Sequence, residues 1–250
     1  MPVTIIQDVR PMVGHTKPKL MRGDDEHFYV VKFQSNPLGR RALINDWIAS
    51  NIALGIGLEV AKPEIVQVPE WLATHGGRTE ATAADIGPQF GSRFVADPQQ
   101  SQVVDYFPEK MTNAAYLTNM DIFSGALVLD YWLRNVDSRQ FVFYRYKERG
   151  RAPYTAVMID QTGCLGGTLW APGSINPGQR LKQGFYRNVS LDIAERWLSH
   201  IQAYPEDSAR YLVQSVPPSW IQPDDSEILN LIEQLWNSKP TLSDMEKLIA

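Results

Sequence analysis

Residues 130–163, DYWLRNVDSRQFVFYRYKERGRAPYTAVMIDQTG, decide how the chain is read. They open as the end of an apolar helical run and break at the polar knot Asn135-Val136-Asp137-Ser138-Arg139-Gln140. Two segments rich in β-branched and aromatic residues follow, 141–147 and 154–159, parted by the turn-forming Glu148-Arg149-Gly150. The second ends on Asp160, with Gly163 close behind. The spacing predicts a hairpin, and a hairpin brings its two open ends together. Asp137 and Asp160 then stand side by side where apolar elements give way to loop. Metal-assisted phosphoryl transfer needs such a pair, one carboxylate to orient or deprotonate a hydroxyl and one to hold Mg²⁺ on the phosphates. Both are expected to be partly buried in one polar cleft. Asp and Gly are also ordinary turn residues, so on the pattern alone a plain strand-end turn stays open.

Upstream of this hairpin, residues 114–133 predict a long helix whose second half is nearly all apolar and hence central. Downstream, 163–184 is a glycine-rich loop, and helices are predicted at about 190–202, 206–215, 224–237 and 241–249. Ser190, Asp224 and Thr241 are candidate N-caps, Thr241 with Asp244 forming a capping box. The N-terminal part reads differently. Strands are expected at 3–10, 19–22, 28–33, 64–68 and 90–95, a loop over 75–87, and one helix from Gly39 to Ile56 with a stripe of Leu43, Trp47, Ile48 and Ile52. Linker character over Ala96-Asp97-Pro98-Gln99-Gln100 puts a boundary at about 96–105, between a sheet lobe, 1–98, and a helical lobe, 99–250. The fold class expected is α+β, in two lobes with a ligand cleft between them.

Composition narrows the function. The 250 residues are 44% hydrophobic and 21% charged, an ordinary globular balance. A formal net charge of −4 disfavours sequence-blind nucleic-acid binding. The run Tyr144-Arg145-Tyr146-Lys147-Glu148-Arg149-Gly150-Arg151 reads either as a local phosphate-binding patch or as a solvated hairpin tip. A single Cys164 excludes an intrachain disulfide framework, and four scattered histidines offer no zinc-ligand spacing. No apolar run is long enough for a membrane span and the N-terminus lacks signal-peptide character, so a cytoplasmic location is expected. Within the apolar strand 28–33, Lys32 is either an edge residue with its head in water or points into a cleft that holds an anion.

That order of parts, with Tyr29-Val30-Val31-Lys32-Phe33, Leu43-Ile44-Asn45-Asp46, Asn135-Val136-Asp137 and Ile159-Asp160-Gln161-Thr162-Gly163, resembles the HipA-like kinase family, bacterial relatives of the protein kinase and phosphoinositide kinase folds. The resemblance runs from about Gly14 to the C-terminal helices and rests on the order and spacing of these motifs. It implies that Lys32 reaches the ATP phosphates, that Asp46 pairs with it, that Asp137 is the catalytic-loop aspartate and that Asp160 is the metal-binding aspartate. It also puts Gly14, His15, Thr16 and Lys17 where a phosphate-covering loop is expected. The chain departs from the family pattern in three places. Asp46 stands where Glu is usual, one methylene shorter, so its pair with Lys32 is expected to be longer or water-bridged. The position five beyond Asp137, normally Asn, is Val142, and the nearest amide is Gln140, which can ligate Mg²⁺ through its oxygen. The phosphate loop has only Gly14. The function implied is an ATP- and Mg²⁺-dependent kinase acting as a monomer on Ser or Thr of a protein. A nucleotide-binding pseudokinase that serves as an interaction module, or a small-molecule or lipid kinase, are the alternatives.

Overall fold

The computed structural model describes residues 2–75, 82–96, 101–106, 115–147, 153–170, 186, 189–223 and 227–249. Strands β1 (Ile5–Pro11), β2 (Lys19–Gly23), β3 (Phe28–Lys32), β4 (Pro63–Val68) and β5 (Gly87–Arg93) form an antiparallel sheet in the order β1-β2-β3-β5-β4. Strand alternation divides β3 between two environments. Tyr29 and Val31 enter a small core with Ile5, Met21, Val66 and Leu72, the last from helix α2 (Glu70–His75). Val30 and Lys32 face the opposite way, into a cleft. Residues 76–81 of the expected loop over 75–87 lie outside the described residues; beyond them Ala83–Asp85 forms a 3₁₀ turn with a Thr82–Asp85 capping box.

Helix α1 (Arg40–Gly55) follows β3. The sequence predicted one apolar stripe, but burial wraps further round the helix and takes in Asn45, Asp46 and Ser50 as well as Leu43, Ile48 and Ile52. The reason is its position. Its apolar residues join one large core with helix α3 (Ile122–Trp132), while Trp47 donates an indole hydrogen bond to Ser215 at 3.0 Å.

A second antiparallel sheet pairs β6 (Ser101–Val104), β7 (Gln140–Tyr146) and β8 (Thr155–Ile159) in that order. The expected hairpin is therefore present, and a strand not expected from the sequence, β6, pairs with it just after the residues read as linker. Helix α3 starts later than expected. Residues 115–121 run beside β8 instead, because the Asn119 amide exchanges hydrogen bonds with the Ala156 backbone at 2.8 and 2.9 Å. Helices α4 (Leu191–Ala203), α5 (Glu206–Gln214), α6 (Ile228–Asn237) and α7 (Leu242–Ile249) complete the helical lobe. Ser190 caps α4 by accepting from Ile193 N, and Thr241 and Asp244 form the predicted box before α7. The Glu148–Gly150 turn, the Asp224 cap and most of the 163–184 loop lie outside the described residues. No described helix is long and apolar enough to cross a membrane.

Candidate active site

The site is built where the two sheets meet α1. Lys32, the last residue of β3, is 6% exposed and spends all three ammonium donors on named partners. It donates to Asp46 Oδ2 at 2.7 Å, to Asp160 Oδ1 at 2.8 Å and to Thr162 Oγ1 at 2.8 Å. This is the cleft reading of Lys32 and not the edge reading. The Asp46 contact is direct, so the expectation of a longer or bridged pair is wrong. Asp46 lies in the second turn of a helix buried deep enough for a short acid to reach. Burial alone would push the Lys32 ammonium down, but Asp46 and Asp160 outweigh it and hold its pKa above the ordinary value. Lys32 therefore stays charged.

Asp160 follows β8 with φ 55, a left-handed backbone that a residue other than glycine adopts at some cost in strain. Burial would raise its carboxyl. The Lys32 ammonium and the hydrogen bonds from Lys32 and Thr162 reverse that and bring it to about 2. Lys32 and the Thr162 amide both bond Oδ1, leaving Oδ2 clear of either. Gln140 begins β7 and pairs in register with Ile159, the residue before Asp160. Gln140 thus lines the same cavity as Asp160. Val142, one alternation further along β7, joins the cavity lining with Val30, Phe90 and Ile159.

The catalytic-loop candidate is set differently. Val136 N donates to Gly163 O at 2.8 Å, and a Cβ on Gly163 would stand 2.6 Å from Asp137 Cβ. The backbone of Asp137 therefore packs on the segment that carries Asp160. Asp137 itself is exposed, so the expectation that both carboxylates are partly buried holds for Asp160 alone. Its Oδ1 accepts from Ser138 N at 2.7 Å. Gly14, His15, Thr16 and Lys17 form the tip of the β1–β2 turn, closed by Lys17 N to Gly14 O at 3.0 Å. The cavity is lined by their flanking neighbours Met12, Val13 and Pro18.

Three residues that support the site were not assigned from sequence. Arg139 is 4% exposed and forks onto Asp130 from α3. Its other nitrogen, Nη1, donates to Gln161 Oε1 at 2.6 Å and to the Asp160 carbonyl at 3.2 Å. Asn45 donates to Thr162 O at 2.9 Å and accepts from the Trp170 indole at 2.8 Å. Thr162 joins Lys32 to Asp46, donating to Asp46 Oδ2 at 2.9 Å. A polar residue beside each sequence motif was the available signal.

This arrangement, an antiparallel sheet with one helix set against a helical lobe and a buried lysine held between two carboxylates, is that of a kinase fold. Residues 3–142 match the HipA-like kinase family, and the chain belongs to it. No curated protein matches the chain at the sequence level. Among solved structures, the chain is similar to the proinflammatory kinase CtkA of Helicobacter pylori, with a TM-score of 0.62 at 12% identity, covering 98% of this chain and 97% of that one. It is also similar to HipA of Shewanella oneidensis MR-1, seen with HipB and operator DNA, with a TM-score of 0.55 at 11% identity over 97% of this chain and 67% of that one. Hydra Fam20, seen with sugar, gives a TM-score of 0.54 at 10% identity over 99% and 85%. At these identities the solved structures speak for the fold.

Proposed function

We propose that the chain is an ATP- and Mg²⁺-dependent kinase that transfers the γ-phosphoryl group to Ser or Thr of a protein. The observation that carries the proposal is Lys32, buried and charged at the end of an apolar interlobe cavity, with two acids around it. Apolar walls such as Val30, Phe90 and Val142 suit a flat base, and Lys32 suits the phosphates. The donor set also fits a hard cation: Asp160 and Gln140, both with side-chain oxygens, line the same cavity. Bound there, Mg²⁺ would neutralise charge developing on the phosphates. Lys32 fixes the phosphate end, Asp46 holds Lys32, and Asp137, exposed beside the Asp160 segment, orients the acceptor hydroxyl. The β1–β2 turn from Gly14 to Lys17 covers the phosphates. In this reading the sheet lobe spans 1–98 and the helical lobe 99–250, and a monomer acts on its protein substrate in the cytoplasm.

The test compares the parent with Asp137→Asn and Asp160→Asn for ATP affinity, with and without Mg²⁺, and for phosphate transfer to a generic protein acceptor. Asp137→Asn should bind Mg·ATP almost as the parent does and transfer nothing. Asp160→Asn should lose the Mg²⁺-dependent part of binding. A parent that binds no nucleotide overturns the proposal, and one that binds Mg·ATP but transfers nothing is a pseudokinase.

A further inference from the structure

The acid on α1 is one methylene shorter than the family pattern, yet it holds more than Lys32. Asp46 Oδ1 accepts from the Gln161 amide at 2.8 Å. Oδ2 accepts from Lys32 at 2.7 Å and from the Thr162 hydroxyl at 2.9 Å. That hydroxyl in turn accepts from Lys32 at 2.8 Å, so Lys32, Asp46 and Thr162 close a ring of hydrogen bonds. Next to the ring, Asn45 donates to the Thr162 carbonyl at 2.9 Å. Neighbouring residues of α1 therefore grip neighbouring residues of the segment that follows Asp160, and every atom in the grip is buried or nearly so.

We infer that Thr162 is a positioning residue whose hydroxyl clamps α1 to the Asp160 segment, keeping the lysine, its acid and the metal-side aspartate assembled before any nucleotide arrives. The inference rests on the kinase reading above. A longer acid at position 46 would carry its carboxylate further from the α1 backbone, into the space the Thr162 hydroxyl occupies. The short acid leaves room for that hydroxyl and makes it necessary. When phosphate draws on Lys32, its bond to Asp160 can be exchanged while the Thr162–Asp46 bond persists. Separating α1 from the metal-side segment would break the Gln161, Thr162 and Asn45 bonds together in a place where water cannot replace them.

The experiment uses Thr162→Val, which keeps the shape and removes the hydroxyl, and Thr162→Ser, which keeps the hydroxyl. Thr162→Ala serves in place of Val if Val does not fold. The first reading is hydrogen exchange of the Gln161 and Thr162 amides in the ligand-free protein. The second is the Mg²⁺ concentration that half-saturates ATP binding. Loss of a hydrogen bond to charged partners should speed exchange by roughly tenfold or more in Val, and raise the Mg²⁺ requirement by a similar factor. Ser should restore both. Val exchanging as slowly as the parent, or Ser behaving as Val does, overturns the clamp. A parent that fails to bind Mg·ATP overturns the kinase reading instead, and the exchange measurement still tests the clamp.

Discussion

Replacing Arg139 by Leu should cost more stability than any surface change in this chain. The Arg139 side chain is 0% exposed and its partner Asp130 is 1% exposed. In the variant, Asp130 keeps the Asn135 amide at 2.9 Å and the Tyr186 hydroxyl at 3.1 Å as donors but loses the guanidinium charge of Arg139. Breaking a buried pair from one side costs about 3–5 kcal/mol, because the remaining charge stays out of water. For a chain of this size about 1 kcal/mol corresponds to roughly 2–4 °C in Tm, so the melting point should fall by about 6–20 °C. The Gln161 and Asp160 carbonyl contacts go with it, so the Asp160 segment should loosen as well. Adding Asp130→Asn removes the carboxylate charge that faced Arg139 and should recover part of the loss, a non-additivity of about 0.5–3 kcal/mol. Thermal melts followed by circular dichroism for the parent, both single variants and the double variant give the answer. A fall of under about 2 °C for Arg139→Leu, or strict additivity in the double variant, would refute the reasoning.

Asp160 is held below its ordinary value of 3.8, at about 2. A depressed carboxylate contributes stability that is complete above the unfolded value and lost as pH falls through the folded one. The stability gap between the parent and Asp160→Asn should therefore be flat at neutral pH and change only below about pH 4 in acid-titrated melts; a gap that moves near about pH 6 would contradict the Lys32 contact. Gln140→Ala, at an exposed strand start, should leave Tm unchanged but raise the Mg²⁺ needed for half-saturation by at least about tenfold, since even outer-shell partners are worth that much. An unchanged Mg²⁺ titration would mean that Asp160 holds the metal without the amide.

What was legible in the sequence is what depends on near neighbours. The alternation around Lys32 and the apolar run of β8 ending on Asp160 announced their strands and the loops after them. The hairpin also followed from local pattern, but its register, which sets Gln140 opposite Ile159 and Val142 opposite Val157, did not. Less legible were features whose reason lies far along the chain. Ser101–Val104 has a linker's neighbours, and becomes a strand only because β7, some forty residues on, offers it an edge. Residues 115–121 have a helical composition, but Asn119 gains more by pairing with the backbone of β8. Arg139 sat in view within the polar knot, yet nothing local said that it would turn inward to Asp130. Thr162 reads as an ordinary turn residue until α1, 116 positions earlier, is placed against it.

The division of the apolar residues between two cores sets the mechanics of the cleft. Helix α1 shares its core with α3, the helical lobe and Phe90 of β5, whereas β1, β2, β3, α2 and Val66 and Val68 of β4 bury the outer face of the sheet in a core of their own. The sheet thus has stiffening of its own, and β5 ties it to the frame through Phe90 and the Trp220 bond to Pro88 O. Lys32 is the pin it carries, and the socket, Asp46 and Asp160, is cut into the frame. Separating the pin from both acids would strand one cation and two anions in a medium that solvates them poorly. That charge separation opposes any movement of the Lys32 end of the sheet away from α1 and the Asp160 segment.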